Sequence, residues 1–323
     1  MGERLAVAAI TIDFGNTLVQ VDRAGLRDVV EQTADAIGLR DIVGDRAAFL
    51  AAWAEERERQ FREEVPEFRE VDIGQRAVRV LARLRGAVPP APEARWDDLD
   101  TASRVAPEEV DAVVGAYSAA FIEGMRPVPD ATATLQRLAG DGFVLAILSN
   151  WPLAVTIDRF AAAHGWLPFL RAIVVSQRVG TIKPHPSIFR AAEADLGFVA
   201  AGDGFGAAEG ATGAPRPPTD RVPILHVGDD WAADVVGAVR AGWYAAYLRD
   251  RQADTPLPTS EPGDGVAGDD DVAADLVLDE LGDLADRVEL DAAAAAWLAG
   301  ATEPTGGPAA APRANAATGA RDG

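Results

Sequence analysis

The 323-residue chain contains no cysteine. That excludes a disulfide framework, a thiol nucleophile and a thiolate-bound zinc. Histidine is nearly as scarce: only His164, His185 and His226 are present, scattered without metal-site spacing. Positive charge is also short, with 30 Lys and Arg against 51 Asp and Glu and a formal net charge of −21. A surface this acidic repels nucleic acid and anionic membranes, so neither is an expected partner. It repels anionic substrates too, so any phosphate site must rely on a bound cation and on local donors. Long apolar runs are missing as well. No stretch approaches the roughly 18 apolar residues that span a bilayer, and the opening MGERLAVAAITID is too short for a signal sequence. The expected location is the cytoplasm, and the oligomeric state is left open.

What is present is an alternation of strands and helices with one long interruption. Leu5 to Ile12 reads as a buried strand ending in the polar loop Asp13-Phe14-Gly15-Asn16. From about residue 22 to 126 the apolar spacing is helical. Examples are Arg46 to Arg62, with Phe49, Leu50, Trp53 and Phe61 on one face, and Ile73 to Leu84, with Asp72 as N-cap. Alternation then resumes. Strands are expected at Phe143 to Leu148, Ala172 to Val175, Ile224 to Val227 and Tyr244 to Leu248, with an edge strand at Leu276 to Leu278. Helices are expected at Ala131 to Ala139 behind Asp130, Leu153 to His164, Ser187 to Leu196 and Ala232 to Ala241. This pattern predicts an α/β fold: a Rossmann-like parallel sheet core (1–21 and 127–290) with an inserted all-helical cap (22–126). Residues 291–323 are expected to form a short helix and a disordered tail. Segments 200–220 and 251–271, rich in Gly, Pro, Ala or Asp, read as poorly ordered linkers.

Four groups of reactive residues sit at or beyond strand ends, where parallel sheets bind ligands. They are Asp13 with Thr17, Ser149-Asn150, Lys183-Pro184, and Gly228-Asp229-Asp230 with Asp234. Together they supply a carboxylate nucleophile, hydroxyl donors, an ammonium and a carboxylate cluster, a set suited to phosphoryl transfer. Blander readings exist for each. Ser149-Asn150 and Gly228-Asp229-Asp230 can serve as helix caps, and a lone lysine is usually solvated. His185 and His226 read as structural. Trp151 and Trp231 each follow a motif and either line a pocket or pack. Arg57, Arg59 and Arg62 reach a substrate anion or pair with neighbouring Glu. Gly202 to Gly206 does not fit a dinucleotide loop, and Asp269-Asp270-Asp271 lacks calcium-loop spacing.

Asp13-Phe14-Gly15-Asn16-Thr17-Leu18, Ser149-Asn150, Lys183-Pro184 and Gly228-Asp229-Asp230-Trp231-Ala232-Ala233-Asp234 resemble the four ordered motifs of the haloacid dehalogenase-like hydrolases. The resemblance implies a Mg²⁺-dependent phosphatase acting on a small phosphorylated metabolite. Asp13 would form an aspartyl-phosphate and Lys183 would neutralise charge. Thr17, Ser149 and Asn150 would hold the substrate. Asp13, the Gly15 carbonyl and Asp229 would bind Mg²⁺; Asp234 would bind it through water or orient Lys183, and Asp230 would do either. Oxygen ligands of this kind suit Mg²⁺.

One position departs from that family's phosphatases. Two residues beyond the nucleophile they carry a second Asp, an acid/base, where this chain has Gly15. Losing such a group typically lowers rates by roughly 10²–10⁴. Two alternatives therefore stay open: a 2-haloacid dehalogenase, which needs no metal, and a non-catalytic phospho-ligand-binding protein.

Overall fold

The computed structural model describes residues 4–198, 222–249, 254–263 and 272–301. The expectations for 200–220, for Asp269-Asp270-Asp271 and for the tail beyond 301 lie outside the described residues.

The opening apolar run forms two strands rather than one, β1 (Leu5–Val7) and β2 (Ala9–Ile12). The break falls at Ala8, where the N–H groups of Ala8 and Ala9 both donate to the Pro223 carbonyl, at 2.8 and 3.2 Å. After the Asp13 loop comes β3 (Val19–Gln20). Five helices follow without a strand: α1 (Arg23–Gly38), α2 (Arg46–Glu64), α3 (Ile73–Leu84), α4 (Asp98–Ser103) and α5 (Pro107–Gly124). Asp22, Asp45 and Asp72 cap the first three through their carboxylates, which satisfy otherwise orphaned N–H groups. The chain returns through β4 (Arg126–Pro127), antiparallel to β3, with Val19 opposite Pro127 and Gln20 opposite Arg126.

The second half runs α6 (Ala131–Gly140), β5 (Val144–Ser149), α7 (Ala154–Ala163), β6 (Leu170–Val175), α8 (Ser176–Val179) and α9 (Pro186–Leu196). It continues through β7 (Ile224–Gly228), a π-helical turn over Trp231–Val236, α10 (Gly237–Arg240), β8 (Tyr244–Leu248), β9 (Leu276–Leu278), α11 (Leu284–Arg287), β10 (Val288–Leu290) and α12 (Ala292–Ala301). Asp130 stands at the head of α6 but makes no capping hydrogen bond through its side chain. The helix expected over 232–241 is wound as a π-turn for its first six residues. β10, which the sequence pattern did not announce, pairs with β1.

The main sheet has the order β6-β5-β2-β7-β8-β9, all parallel. β2 lies at its centre, with Ile12 opposite both Ile147 and Val227. The loops after β2, β5 and β7 therefore emerge side by side at one edge. β2 points Ile10 and Ile12 into one core and Ala9 into another on the opposite face, as its buried two-sided pattern requires. Among the described residues no helix is long and apolar enough to cross a membrane.

Candidate active site

Asp13 is the first residue past β2. Its N–H donates to the Val227 carbonyl at 2.9 Å, which carries the sheet's bonding one residue further and sets the carboxylate at the edge. Lys183 arrives from the loop before α9. Asn150, just past β5, holds that loop with both ends of its amide: Lys183 N–H donates to Oδ1 at 2.7 Å, and Nδ2 donates to the Lys183 carbonyl at 3.1 Å. The ammonium then donates to Asp13 Oδ1 at 2.7 Å, to Asp234 Oδ1 at 2.6 Å and to the Leu148 carbonyl at 2.9 Å. All three of its protons are used.

Asp234 is also fully engaged. Its Oδ1 lies 3.0 Å from His226 Nε2, and its Oδ2 accepts from Asp230 N–H at 2.9 Å. With Nε2 protonated, the His226 ring donates to Asp234 and accepts at Nδ1 from Thr11 Oγ1, 2.8 Å away. Gly228 permits this closeness: a β-carbon there would lie 2.1 Å from Asp234 Oδ2. Asp234 thus orients Lys183. His226, read from the sequence as a structural strand residue, is a fully buried member of the same charged cluster. The signal for it was its position two residues before Gly228 in a run that is otherwise apolar.

Asp230 turns to another task. Its Oδ1 accepts from the N–H groups of Ala232 and Ala233, at 3.0 and 3.2 Å, and from the Ser260 hydroxyl. It is the cap of the π-turn. Asp229 receives weaker bonds from Asn16 Nδ2 and Thr17 Oγ1, both at 3.4 Å. Thr17 is fully buried beneath Asp229 and is not among the residues lining the cavity above. Ser149 Oγ is buried and has no hydrogen-bond partner among the described residues, and the same is true of Trp151 Nε1. Trp151 lines the cavity, whereas Trp231 packs edge-on against Tyr247.

Burial pushes the carboxyls of Asp229, Asp230 and Asp13 above their ordinary range, and neighbouring carboxylates add to the effect. Lys183 opposes the shift at Asp13. Burial acts on Asp234 in the same sense but is outweighed by Lys183 and His226, which hold it ionised. Burial disfavours the charged form of Lys183, but the two carboxylates outweigh it and raise its pKa. His226 is lowered by burial and by Lys183, so the ring is neutral.

Among the described residues no group of three or more Asp, Glu or His side chains converges to hold a metal. Of the five residues expected from the sequence, Asp234 is held through both oxygens at 2.6 to 3.0 Å and Asp230 caps the π-turn through Oδ1, whereas the Asn16 and Thr17 bonds to Asp229 are long at 3.4 Å and Asp13 meets Lys183 through Oδ1 alone. Asp13, the Gly15 carbonyl and Asp229 remain. Two carboxylates and a carbonyl are a donor set that Mg²⁺ completes with water and substrate oxygens. A divalent cation there would offset the crowding that drives Asp229 toward protonation.

The segment 254–263, read from composition as part of a linker, is packed onto the site. Thr255 Oγ1 accepts from Asn16 Nδ2 at 3.0 Å, Ser260 Oγ accepts from Ala232 N–H at 2.7 Å, and Leu257 fills the space beside Gly15. A cavity of about 380 Å³ opens above Asp13 and Lys183, walled by this segment on one side and by the helical insert on the other. The insert is tied down by Ile182 N–H to the Phe68 carbonyl at 3.0 Å and by Gln177 Nε2 to Asp72 at 2.7 Å.

A family model described as haloacid dehalogenase-like hydrolase matches residues 7–242. The chain belongs to the haloacid dehalogenase-like hydrolases. It is 30% identical over 143 residues to a glyceraldehyde 3-phosphate phosphatase of Methanopyrus kandleri, covering 44% of this chain and 52% of the relative. It is 26% identical over 186 residues to a ribulose-1,5-bisphosphate 5-phosphatase of Halopiger xanaduensis, covering 56% of this chain and 65% of that one. The matches thus span about half to two thirds of these relatives' lengths. Among solved structures, a 2-haloacid dehalogenase from Pseudomonas syringae pv. Tomato DC3000 aligns with a TM-score of 0.52 at 19% identity, over 87% of this chain and 97% of that chain. This structural likeness bears on the fold, a parallel sheet flanked by helices.

Proposed function

We propose that this hydrolase is a Mg²⁺-dependent phosphatase of small phosphorylated metabolites that uses Asp13 as nucleophile. The observation that carries the reading is the 2.7 Å contact between Lys183 Nζ and Asp13 Oδ1, itself fixed by Asp234 at 2.6 Å. The names of the two curated relatives, both sugar-phosphate phosphatases, support the substrate class.

With Oδ1 held by Lys183, Asp13 Oδ2 attacks phosphorus. The new O–P bond forms as the ester P–O bond breaks, and its electron pair leaves with the alcohol oxygen. Lys183 carries positive charge against the nucleophile and the phosphoryl oxygens. Ser149, like Thr17, is fully buried outside the cavity lining and is assigned no contact with those oxygens; Asn150, which lines the cavity, keeps the lysine loop in register. Asp13, the Gly15 carbonyl and Asp229 would hold Mg²⁺, which when bound supplies positive charge to this acidic edge. The leaving oxygen takes its proton from solvent, since Gly15 has no side chain to give one. Water then attacks the acyl phosphate at phosphorus, releases phosphate and restores the Asp13 carboxylate. The missing acid/base makes turnover slow or favours good leaving groups.

A second reading, hydrolytic dehalogenation of a 2-haloacid, is favoured by the apolar Leu257 beside Gly15. A panel of phosphorylated metabolites and haloacids, assayed with and without Mg²⁺, separates the two. Mg²⁺-dependent phosphate release supports the phosphatase. Halide release indifferent to chelators replaces it with the dehalogenase.

A further inference from the structure

The arginines on α3 are not treated alike by their surroundings. Arg79 is buried and meets Glu63 at 3.4 Å and Asp98 at 3.1 Å. Arg83 meets Glu56 at 2.9 Å and also Glu55. On α2, buried Arg59 is bonded to the Pro90 carbonyl at 2.8 Å and lies near Glu63. Arg76 is the exception. It is only 4% exposed, yet among the described residues it has no carboxylate within ion-pair distance. Among the described residues its one hydrogen bond runs from Nε to Gln60 Oε1 at 2.9 Å, a neutral acceptor at the level where α2 gives the other arginines glutamates. The guanidinium lies 5.4 Å from the centre of the Trp53 ring, a cation–π contact that offsets part of its desolvation.

A buried cation with no carboxylate in direct contact is costly, and Asp72 and Glu70 offset that cost only through space. Burial lowers the Arg76 pKa to about 10, which leaves it charged at neutral pH. Arg76 lines the same cavity as Asp13 and Lys183, together with Arg57 and Tyr117. Arg57 stacks over Phe61 at 4.7 Å and pairs outward with exposed Glu58 at 2.7 Å. The buried Tyr117 hydroxyl, kept neutral by burial that raises it to about 12, has no hydrogen bond among the described residues. Glu70 is the carboxyl on this wall, and it is turned to the Ser176 hydroxyl and to Val71 N–H at 3.0 Å.

We propose that Arg76, with Arg57 and Tyr117, forms a second anion subsite, so that the natural substrate carries a carboxylate or second phosphate remote from the group that Asp13 attacks. The attacked group rests on the phosphatase reading; the subsite does not. Two positive guanidinium groups and a phenol hydroxyl offer bidentate and single donors to an oxyanion, in a pocket where exclusion of water strengthens them. The insert would thereby select substrates by their far end.

Calorimetric titration of the full chain as its Asp13→Asn variant, with Mg²⁺, tests this without turnover. The probes are 3-phosphoglycerate against glycerol 3-phosphate, fructose 1,6-bisphosphate against fructose 6-phosphate, and glycerate alone. The member of at least one pair that carries two anionic groups is expected to bind about 10- to 100-fold more tightly, the span of a charged hydrogen bond. Which pair shows it tells carboxylate from phosphate. Adding Arg76→Met is expected to erase the difference while leaving binding of the ester with a single anionic group unchanged, and Arg76→Lys to restore part of it. Equal affinity within both pairs overturns the proposal, as does a preference that survives Arg76→Met. Should Arg76→Met fail to fold, the within-pair comparison and Arg57→Met decide alone. Arg76-dependent binding of glycerate with no binding of any phosphate ester keeps the subsite and removes the phosphatase reading. No binding by any probe removes both.

Discussion

A β-carbon built on Gly15 would lie 2.5 Å from Leu257 Cδ1, closer than such atoms ever come. The absent acid/base and the packed segment after β8 are therefore two sides of one arrangement: the space beside the nucleophile is filled from elsewhere in the chain. Restoring the acid means moving that leucine. Gly15→Asp alone is expected to raise hydrolysis of p-nitrophenyl phosphate only slightly, because Leu257 must swing aside. Gly15→Asp with Leu257→Ala is expected to gain at least about tenfold over wild type, within the range of a positioned general acid. Steady-state assays with Mg²⁺ measure both. A double variant no faster than wild type, with its fold intact by circular dichroism, would show that the missing carboxyl does not limit the rate.

Lys183 neutralises two buried carboxylates at once. Lys183→Met is expected to lower kcat by about a hundredfold or more and to reduce stability by about 3–5 kcal/mol, because Asp13 and Asp234 lose their counter-charge. Urea unfolding at several pH values gives a sign check. Without the ammonium both carboxyls titrate higher, so the deficit should shrink as pH falls and they take up protons. A deficit independent of pH would contradict the charge account.

Burial and three neighbouring carboxyls push the Asp229 carboxyl up, and the bonds it accepts from Asn16 and Thr17 are long, at 3.4 Å each. In chelator-treated protein, Mg²⁺ at a hundredfold excess over its Kd should stabilise the fold by about 2.7 kcal/mol. Thermal melts of Asp229→Asn are expected to show most of that rise lost, with the metal-free variant at least as stable as wild type. An undiminished Mg²⁺ response in the variant would assign the cation to other residues.

Glu70 joins the insert to the Ser176 hydroxyl, and burial raises its carboxyl to about 7 despite that bond. The folded chain thus holds a proton that the unfolded chain releases near the ordinary value of 4.5. Stability from this group is full at low pH and falls as pH rises through that window toward about 7. Glu70→Gln should flatten the decline, by on the order of 2 kcal/mol between pH 5 and 8. Denaturation midpoints at both pH values measure it, and parallel slopes in the two proteins would contradict it.

The sheet and the four reactive loops were legible because their signals are local. Buried strands read as apolar runs, and Asp13, Ser149, Lys183 and Asp229 sit at or beyond their ends. What was not legible depends on partners distant in sequence. The break at Ala8 exists because Pro223 accepts two N–H groups there. The division of labour among Asp229, Asp230 and Asp234 follows from which donors reach each one. The 254–263 segment has no periodicity to read, since its prolines block regular structure. It is placed by single bonds from Thr255 and Ser260 to groups brought near only by folding. His226 was missed for the same reason, its role being set by Asp234 eight positions later across a π-turn.

The short antiparallel pair β3–β4 puts the two ends of the helical insert next to each other, Val19 facing Pro127. A segment spliced in at adjoining points can be lengthened, shortened or replaced without re-threading the sheet. On the proposed subsite reading, exchanges at Arg57 and Arg76 would change what the insert selects without moving the Asp13–Lys183–Asp234 triangle beneath, which is held by the sheet edge.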